Sequence, residues 1–516
     1  MRHVVALLML SVPVAAQDAW EWMIRGDVYA ERSQHADAAA AYREAIAADP
    51  ALRERIAPRL ARQLLWSDEA RAAVPLFEES LLVHADDCDL RNDYGLALAW
   101  SDRLDEAMEQ YRRVVGACPA ARNTARLRAA MAARWADRPS LASAFYRAVL
   151  SDGTPRDQSE ARAGLAYIDL IRDENRAAFA EFDRLGHHEG AAIAAARLGD
   201  YVEAERRIDR VEAEGALPRD LLDLREVIAA ADLYEVRPAS TAFRDADGTS
   251  FGATEVGVSR PWRQRGRGEI ALGVSSLSND DGRSHDAQWA EITAEQRFST
   301  DFAARGAIRF TSYDDWRPLT GELRGIWTPS DAWRFDGTLA RLQITDHVGA
   351  IDHRLTGTYA AASIDRRVGG RDVWTGGMDT TRWSEGNTRL RVIARWQRRF
   401  EGVPRVTLEL PLLLQFYDEP FAFGLFSPER YVEVGPGVIL YRRYRRVWNF
   451  SVYGRAGVQR ENSDRWRALG VARAAIERDL RDLWALRASA AWSNSNVTGS
   501  GGFERTSLRI EVAKRF

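Results

Sequence analysis

Cysteine is almost missing from this sequence: Cys88 and Cys118 are all it has. So sparse a pair excludes a Cys-rich metal site. The eight histidines are scattered, and none stands at metal-ligand spacing from an Asp or Glu. His347 and His353 flank a loop, and His187-His188 reads as solvated surface after a helix. Asn279-Asp280-Asp281-Gly282 has the start of a calcium loop but not its downstream bidentate Glu, so it reads as an acidic loop. Gly-x-Ser-x-Gly and a phosphate-binding glycine loop are also missing. These absences argue against an enzyme, and against any cofactor or metal. No apolar run reaches eighteen residues, so no transmembrane helix is expected. A net charge of only −3 excludes a nucleic-acid binder.

What is present divides the chain. From residue 237 onward there are 42 basic and 34 acidic side chains; before it there are 30 and 41. Two stretches of opposite sign suggest two units with different surroundings. The start is a third element. Arg2 and His3 give a polar opening, Val4 to Val14 a short apolar run, and Val14-Ala15-Ala16 small residues at a cleavage site. A signal peptide over residues 1–16 is expected, with Gln17 as the mature N-terminus. In an exported chain the two cysteines are free to pair.

Residues 17–235 carry apolar side chains at spacings of three and four, the helical period. Trp22, Gly26, Tyr29, Ala38, Tyr42, Ala45 and Pro50 resemble the 34-residue tetratricopeptide pattern. Small Gly26 and Ala38 let two antiparallel helices approach, Tyr29 and Tyr42 fill the space between them, and Pro50 ends the second helix. Gly95, Leu98, Ala107, Tyr111 and Pro119 make a second strong copy. Ala61, Leu64, Ala73 and Phe77 make a weaker one. Ala129, Ala132, Leu141, Phe145 and Ala148 follow, then Leu165, Ala166, Ala178 and Phe182, then Ala192, Ala204 and Ile208. About six repeats are expected, capped by a helix over Leu221 to Leu233. Each repeat buries its apolar face against its neighbours, so such an array supports itself. Cys88 begins one hairpin and Cys118 ends it, and antiparallel helices bring those ends together; a disulfide is expected.

At residue 236 the texture changes to alternation of period two. Leu390, Val392, Ala394 and Trp396 alternate with Arg389, Arg391, Ile393 and Arg395. Val406 to Leu414 alternates with Arg405, Thr407 and Glu409, and Trp448 to Ala456 with Asn449, Ser451, Tyr453 and Arg455. The runs are long enough for tilted membrane strands. Tryptophans cluster at strand ends (Trp262, Trp316, Trp327, Trp333, Trp383, Trp448, Trp466, Trp484), as interfacial girdles require. Short breaks such as Ser299-Thr300-Asp301 and Asp479 to Asp482 alternate with longer ones such as Asp418 to Pro428 and Asn494 to Gly502. The final strand ends on Phe516, with Leu508, Ile510 and Val512 on the same side; it resembles the signal read by the barrel-insertion machinery, with Lys514 breaking the pattern. A closed transmembrane barrel of about sixteen strands, with fourteen as the alternative count, is expected over residues 236–516. Closure follows because lipid leaves no unpaired backbone group satisfied.

The whole layout, signal peptide, helical repeats and C-terminal barrel, resembles the outer-membrane exopolysaccharide export porins. These include the poly-β-1,6-N-acetylglucosamine exporter and the outer-membrane subunit of cellulose synthase. Arg237-Pro238, the acidic turn Asp245-Ala246-Asp247-Gly248, and Phe426-Ser427-Pro428 followed by Tyr431 carry the local likeness. The resemblance implies a barrel in the outer-membrane lipid passing an exopolysaccharide chain. It also implies a periplasmic repeat domain that meets the polymer or its synthesis and modification proteins. Lumen-lining candidates on the polar face are Arg389, Arg391, Arg395, Glu409, Tyr431, Glu433, Tyr453, Arg455, Arg467 and Arg473. That face is richer in Arg than in acid, which suits an anionic or neutral glycan. The other reading is a receptor or anchor whose barrel only tethers the repeat domain.

Overall fold

The computed structural model describes residues 14–262, 265–444, 447–479, 483–495 and 504–516. The expected signal peptide therefore lies outside the described residues except for its last three, which begin the first helix. The expected turn at Asp479 to Asp482 and loop at Asn494 to Gly502 also fall largely outside.

Among the described residues thirteen α-helices come first: α1 (Val14–Glu31), α2 (His35–Ala48), α3 (Arg53–Trp66), α4 (Ala70–Val83), α5 (Cys88–Trp100), α6 (Leu104–Ala117), α7 (Arg122–Trp135), α8 (Pro139–Asp152), α9 (Pro155–Ile171), α10 (Asn175–Leu185), α11 (His188–Arg197), α12 (Tyr201–Glu214) and α13 (Arg219–Ala231). α1 to α8 pack in sequence order as helical hairpins, and α10 to α13 pack in sequence order among themselves, with α13 at the end of the series. The chain forms two compact units, divided between Ile168 and Asp169.

In the first unit one aromatic per hairpin fills the core: Tyr42, Phe77, Tyr111 and Tyr146 are all buried. A small residue opposite makes the room. A Cβ on Gly26 would lie 2.6 Å from Tyr42, and one on Gly95 2.9 Å from the Tyr111 ring. Burial pushes the hydroxyls of Tyr42 and Tyr111 far above the usual phenol range. Pro50 and Pro119 each start a short 3-10 turn just past a second helix. The fourth hairpin corrects the sequence reading by one residue. Ala142, Tyr146 and Val149 are buried, while Leu141 is exposed and Phe145 only partly covered. Spacings of three and four fit both frames there, and the packing of Tyr146 over Gly164 selects one. Asp93 ties three hairpins together, accepting from Arg62 and Arg128 at 2.7 Å each.

Cys88 and Cys118 form a disulfide that joins the ends of one hairpin across 30 residues of sequence. Closing a loop of that size restricts the unfolded chain by about 3–4 kcal/mol. The Cys118→Ser variant should therefore melt its helical signal roughly 10 °C lower than wild type, taking ~2–4 °C per kcal/mol. An unchanged melting temperature by far-ultraviolet circular dichroism would show that packing alone holds the hairpin.

In the second unit the strands are β1 (Glu235–Asp245), β2 (Ser250–Trp262), β3 (Gly266–Ser278), β4 (Ser284–Arg297), β5 (Phe302–Ser312), β6 (Leu319–Ser330), β7 (Trp333–Gln343), β8 (Thr356–Val368), β9 (Asp372–Trp383), β10 (Thr388–Phe400), β11 (Arg405–Tyr417), β12 (Arg430–Val434 continuing as Gly437–Tyr444), β13 (Trp448–Glu461), β14 (Arg467–Asp479), β15 (Trp484–Ser493) and β16 (Arg505–Arg515). Gly435 and Pro436 interrupt β12, but both halves pair with β11 on one side and β13 on the other. Pro cannot donate to the ladder, which is why the break falls there. Each strand is antiparallel to the next, and β1 closes on β16, from Glu235 opposite Arg515 to Asp245 opposite Arg505. Sixteen strands leave no edge, and the even number brings both barrel ends to one rim.

The wall has two faces. Ile270, Leu272, Ile292, Ile308, Leu323 and Leu339 project outward, each more than half exposed to the surroundings. On soluble proteins such a continuous apolar surface is avoided; in lipid it is required. Lys514 sits on this outer face, its ammonium 5.1 Å from the Trp484 ring and 5.7 Å from that of Phe516. That is an interfacial position, reached by snorkelling, and it accounts for the break in the terminal alternation. Two of the expected girdle tryptophans do not belong to it. Trp383 is buried on the inner face with Tyr417 and Phe421, and Trp316 stacks on Tyr313 at 5.3 Å. Trp383 ends β9 in the inward phase, opposite to the outward Trp327, and Trp316 lies in the turn between β5 and β6.

Helices α10 to α13 belong to the same compact unit as the barrel, so the units do not divide at the change from helix to strand near residue 235. Rim arginines explain this. Arg267 donates to the carbonyls of Ala231 and Leu233, Arg297 to that of Leu198, and Arg367 to that of Asp173. Each meets the negative end of a helix or the turn after one, where a cation is favoured. Arg176 returns the contact, pairing with Asp301 at 2.8 Å, and its backbone N–H reaches Asp331 at 2.9 Å. Burial there pushes the Asp169 carboxyl up to about 6, with Glu174 and Asp331 adding negative charge nearby.

Candidate functional site

The inner face of the barrel carries the chemistry. Period two places Arg389, Arg391 and Arg395 on one side of β10, opposite the lipid-facing Leu390, Val392 and Ala394. Asp379 of β9 lies between the first two, 3.0 Å from Arg389 and 2.7 Å from Arg391. Among the described residues Arg395 has no carboxylate this close; it reaches Thr375 Oγ1 at 3.4 Å. On β11, Glu409 accepts from Gln397 at 3.0 Å and from the Tyr453 hydroxyl at 2.7 Å. Arg473 lies over the Tyr453 ring, 5.7 Å from its centre.

Three further candidates form a packed network. Tyr431 is fully buried and donates to Gln459 at 2.7 Å. Glu433 pairs with Arg455 at 2.8 Å and accepts from Ser495 at 2.6 Å. The sequence grouped these with the open lining positions. Their side chains instead lie under the start of the loop after β15, so Arg389, Arg391, Arg395, Tyr453 and Arg473 form the more open part. Arg467 stands at the far rim, mostly exposed, 3.3 Å from Glu461.

Several inner-face groups were not singled out from the sequence. Glu511 of β16 accepts from Arg237 at 3.2 Å, Arg487 at 2.7 Å and Arg509 at 3.2 Å. Arg237 also pairs with Glu269, Arg487 with Glu477 and Arg509 with Glu255. This cluster spans the closure between β1 and β16. The alternation itself held the signal: Arg237, Arg487, Arg509 and Glu511 all stand in the polar phase of their strands.

At the rim away from the chain ends, two loops fold inward. The loop after β7 holds a short helix, α14 (Val348–Asp352), which His347 caps by accepting from the Ala350 N–H at 3.2 Å. Val348 and Ile351 pack on Leu277, Ala287 and Tyr313 at one wall, while Ala350 packs with Trp383, Tyr417 and Phe421 at another. Charged groups hold the helix ends. Asp346 meets Arg505 at 2.8 Å, and Asp352 meets Arg283 at 2.8 Å and His285 at 2.7 Å. Residues 418–429 supply the second loop. Within it Ser427 accepts from the Phe421 N–H at 2.7 Å and donates to the Leu425 carbonyl at 2.9 Å. Phe426 meets Tyr431 edge to face at 5.4 Å, so the Phe-Ser-Pro segment builds this inward turn. His353 stacks on Phe423 with ring centres 4.3 Å apart. Among the described residues no group of His, Cys, Asp and Glu could hold a metal ion.

A closed sixteen-stranded antiparallel barrel with an apolar outer band and a charged inner wall, preceded by helical repeats, defines an outer-membrane β-barrel protein. The model of the PgaA membrane beta barrel domain matches residues 232–495, just over half of the chain, and the chain belongs to that family. Its layout is that of the repeat-plus-barrel exopolysaccharide export porins. Among solved structures, a bacterial polysaccharide outer membrane secretin is 16% identical over 55% of this chain and 99% of its own, with a TM-score of 0.47. A tetratricopeptide repeat protein from Parabacteroides merdae is 16% identical over 42% of this chain and 87% of its own, with a TM-score of 0.34. The type IV pilus biogenesis factor PilW is 17% identical over 40% of this chain and 99% of its own, with a TM-score of 0.32. No curated protein matches.

Proposed function

We propose that the barrel is a non-enzymatic conduit that carries an exopolysaccharide chain outward across the outer membrane. The helical repeats would stand in the periplasm and recruit the polymer or the proteins that make and modify it. The observation that carries this reading is the inner wall. A glycan needs hydrogen-bonding partners along its path, and ion-paired Arg, Asp and Glu with interleaved tyrosines supply them without a single strong trap. Arg395, Arg473 and Tyr453 are the side chains placed to touch a passing chain. Membership of the PgaA barrel family supports the class.

The test is genetic and chemical. Deleting the gene should abolish secreted polysaccharide, and the wild-type gene should restore it; undiminished secretion would overturn the export reading. The excess of guanidinium over carboxylate along the barrel suits a neutral or anionic glycan. Channels in planar bilayers should accordingly give reversal potentials of the anion-selective sign in a salt gradient. Cation preference would show that the arginines are neutralised and that the charge assignment is wrong.

The inward loops favour a second reading, in which the barrel is a closed anchor for the repeat domain. It requires that the barrel not conduct even when those loops are removed.

A further inference from the structure

Trp66, Trp100 and Trp135 are the last residues of α3, α5 and α7, so they recur at the period of the repeat. Each stands at the turn from the first to the second helix of a hairpin, along one edge of the first unit. Their rings touch in series. The centres of Trp66 and Trp100 are 5.7 Å apart and those of Trp100 and Trp135 are 6.2 Å apart, with His35 6.5 Å beyond Trp66. The two outer rings are open, Trp66 48% exposed and Trp135 51%, while Trp100 between them is half-buried against the core. Two open indoles joined through a half-buried third, along one edge of a repeat array, mark an interaction surface.

The turn itself does not require tryptophan. α1 ends on Glu31 and α9 on Ile171, and both make the same kind of turn, with Ser33 and Asp173 at positive φ as Asp68, Asp102 and Asp137 are after the tryptophans. The aromatic therefore does something other than form the hairpin. Beside every indole, two residues on, stands an aspartate. Asp102 is largely exposed, with Arg71 as a loose partner at 3.5 Å.

We propose that this edge is a docking strip for an uncharged glycan chain of β-linked hexopyranose units. The proposal rests on the polysaccharide reading above and names where and how the repeat domain would hold the polymer. A β-linked pyranose chain is an extended ribbon with apolar C–H faces and hydroxyl edges. The indoles do not lie in one plane, Trp66 standing at 86° to Trp100 and Trp100 at 44° to Trp135, so they offer a stepped series of apolar ring faces and edges to successive sugar units. The aspartates offer acceptors for the hydroxyls at each step. A linear array with a fixed repeat fits a repeating ligand. Protein partners fit less well, because the centre of a protein interface is depleted of charge, whereas here a carboxylate accompanies every ring. The same carboxylates disfavour an acidic glycan.

The test is calorimetric titration of the full-length protein in detergent with three hexasaccharides: cellohexaose, chitohexaose and hexagalacturonate. One or both uncharged hexamers should bind. The Trp100→Ala variant should weaken that binding by roughly tenfold, with Trp66→Ala and Trp135→Ala also weaker. Trp100→Phe, which keeps a ring, should retain most of it and guards against a folding defect. Binding of hexagalacturonate alone, binding of none of the three, or binding unchanged in all three alanine variants overturns the proposal. The export reading fails separately: oligosaccharide binding with undiminished secretion in the deletion strain removes export and leaves the strip. Lost secretion in the deletion strain with no binding removes the strip and leaves export.

Discussion

Replacing residues 345–354 with a short Gly-Ser turn should raise single-channel conductance in planar bilayers by about tenfold or more. The wall of a sixteen-stranded barrel is wide enough to hold an aqueous lumen. At its outer end α14 packs on Leu277, Ala287 and Tyr313 at one wall and lies beside Trp383, Tyr417 and the Phe421 of the 418–429 loop at another. The replacement removes that bridge, with Asp346 and Asp352 and their contacts to Arg505, Arg283 and His285. The backbone hydrogen bonds of the barrel stay intact, since the strands pair with one another. The milder Asp346→Ala, Asp352→Ala double variant keeps the apolar packing and releases only the charged ends; brief openings are expected rather than a permanently open state. Conductance equal to wild type in the deletion would mean that the inward loops do not control the path.

The second large effect is on barrel closure. Glu511 is mostly buried, and three guanidiniums converge on it from β1, β15 and β16. Removing one member of a buried ion-pair network typically costs about 3–5 kcal/mol, because the remaining charges are left uncompensated. Here each arginine keeps a second carboxylate, Glu269, Glu477 or Glu255, so the lower end of that range is expected. Glu511→Ala should unfold at lower urea and lose its heat-modifiable gel mobility at lower temperature. Glu511→Gln keeps the shape and some hydrogen bonding, and should fall between. The Arg237→Ala, Glu511→Ala double variant should lose less than the sum of the single changes, since the Arg237–Glu511 contact is counted in both single losses and disappears only once. Additive losses would show that the cluster does not act as a unit.

The two halves of the molecule were readable from the sequence to different depths. The period of the apolar residues depends only on backbone geometry, so it separated helices from strands and set the inner and outer phases of the wall. It placed Arg389, Arg391 and Arg395 inside and Leu390, Val392 and Ala394 outside. The small-residue and aromatic pattern of the repeats worked because Gly26 and Tyr42 must touch in any such hairpin. It slipped by one residue at Leu141 and Phe145, where two frames were equally spaced and only packing against Gly164 chose between them.

What a local pattern cannot hold is which distant groups meet. Trp383 shares the strand-end position of the girdle tryptophans, yet it turns inward, where the 418–429 loop covers it. Tyr431, Glu433 and Arg455 share the phase of open lining residues, and a loop more than thirty residues onward in sequence packs over them. Glu511 draws partners from 274 and 24 residues away, a convergence made only when the last strand meets the first. The rim arginines likewise find helix ends that precede them by many residues, and so attach α10 to α13 to the barrel. Side-chain periodicity is a property of the chain within a few residues and survives in the sequence. Closure, the inward packing of loops and charge pairing are set by contacts across the barrel, and only the folded cylinder decides them.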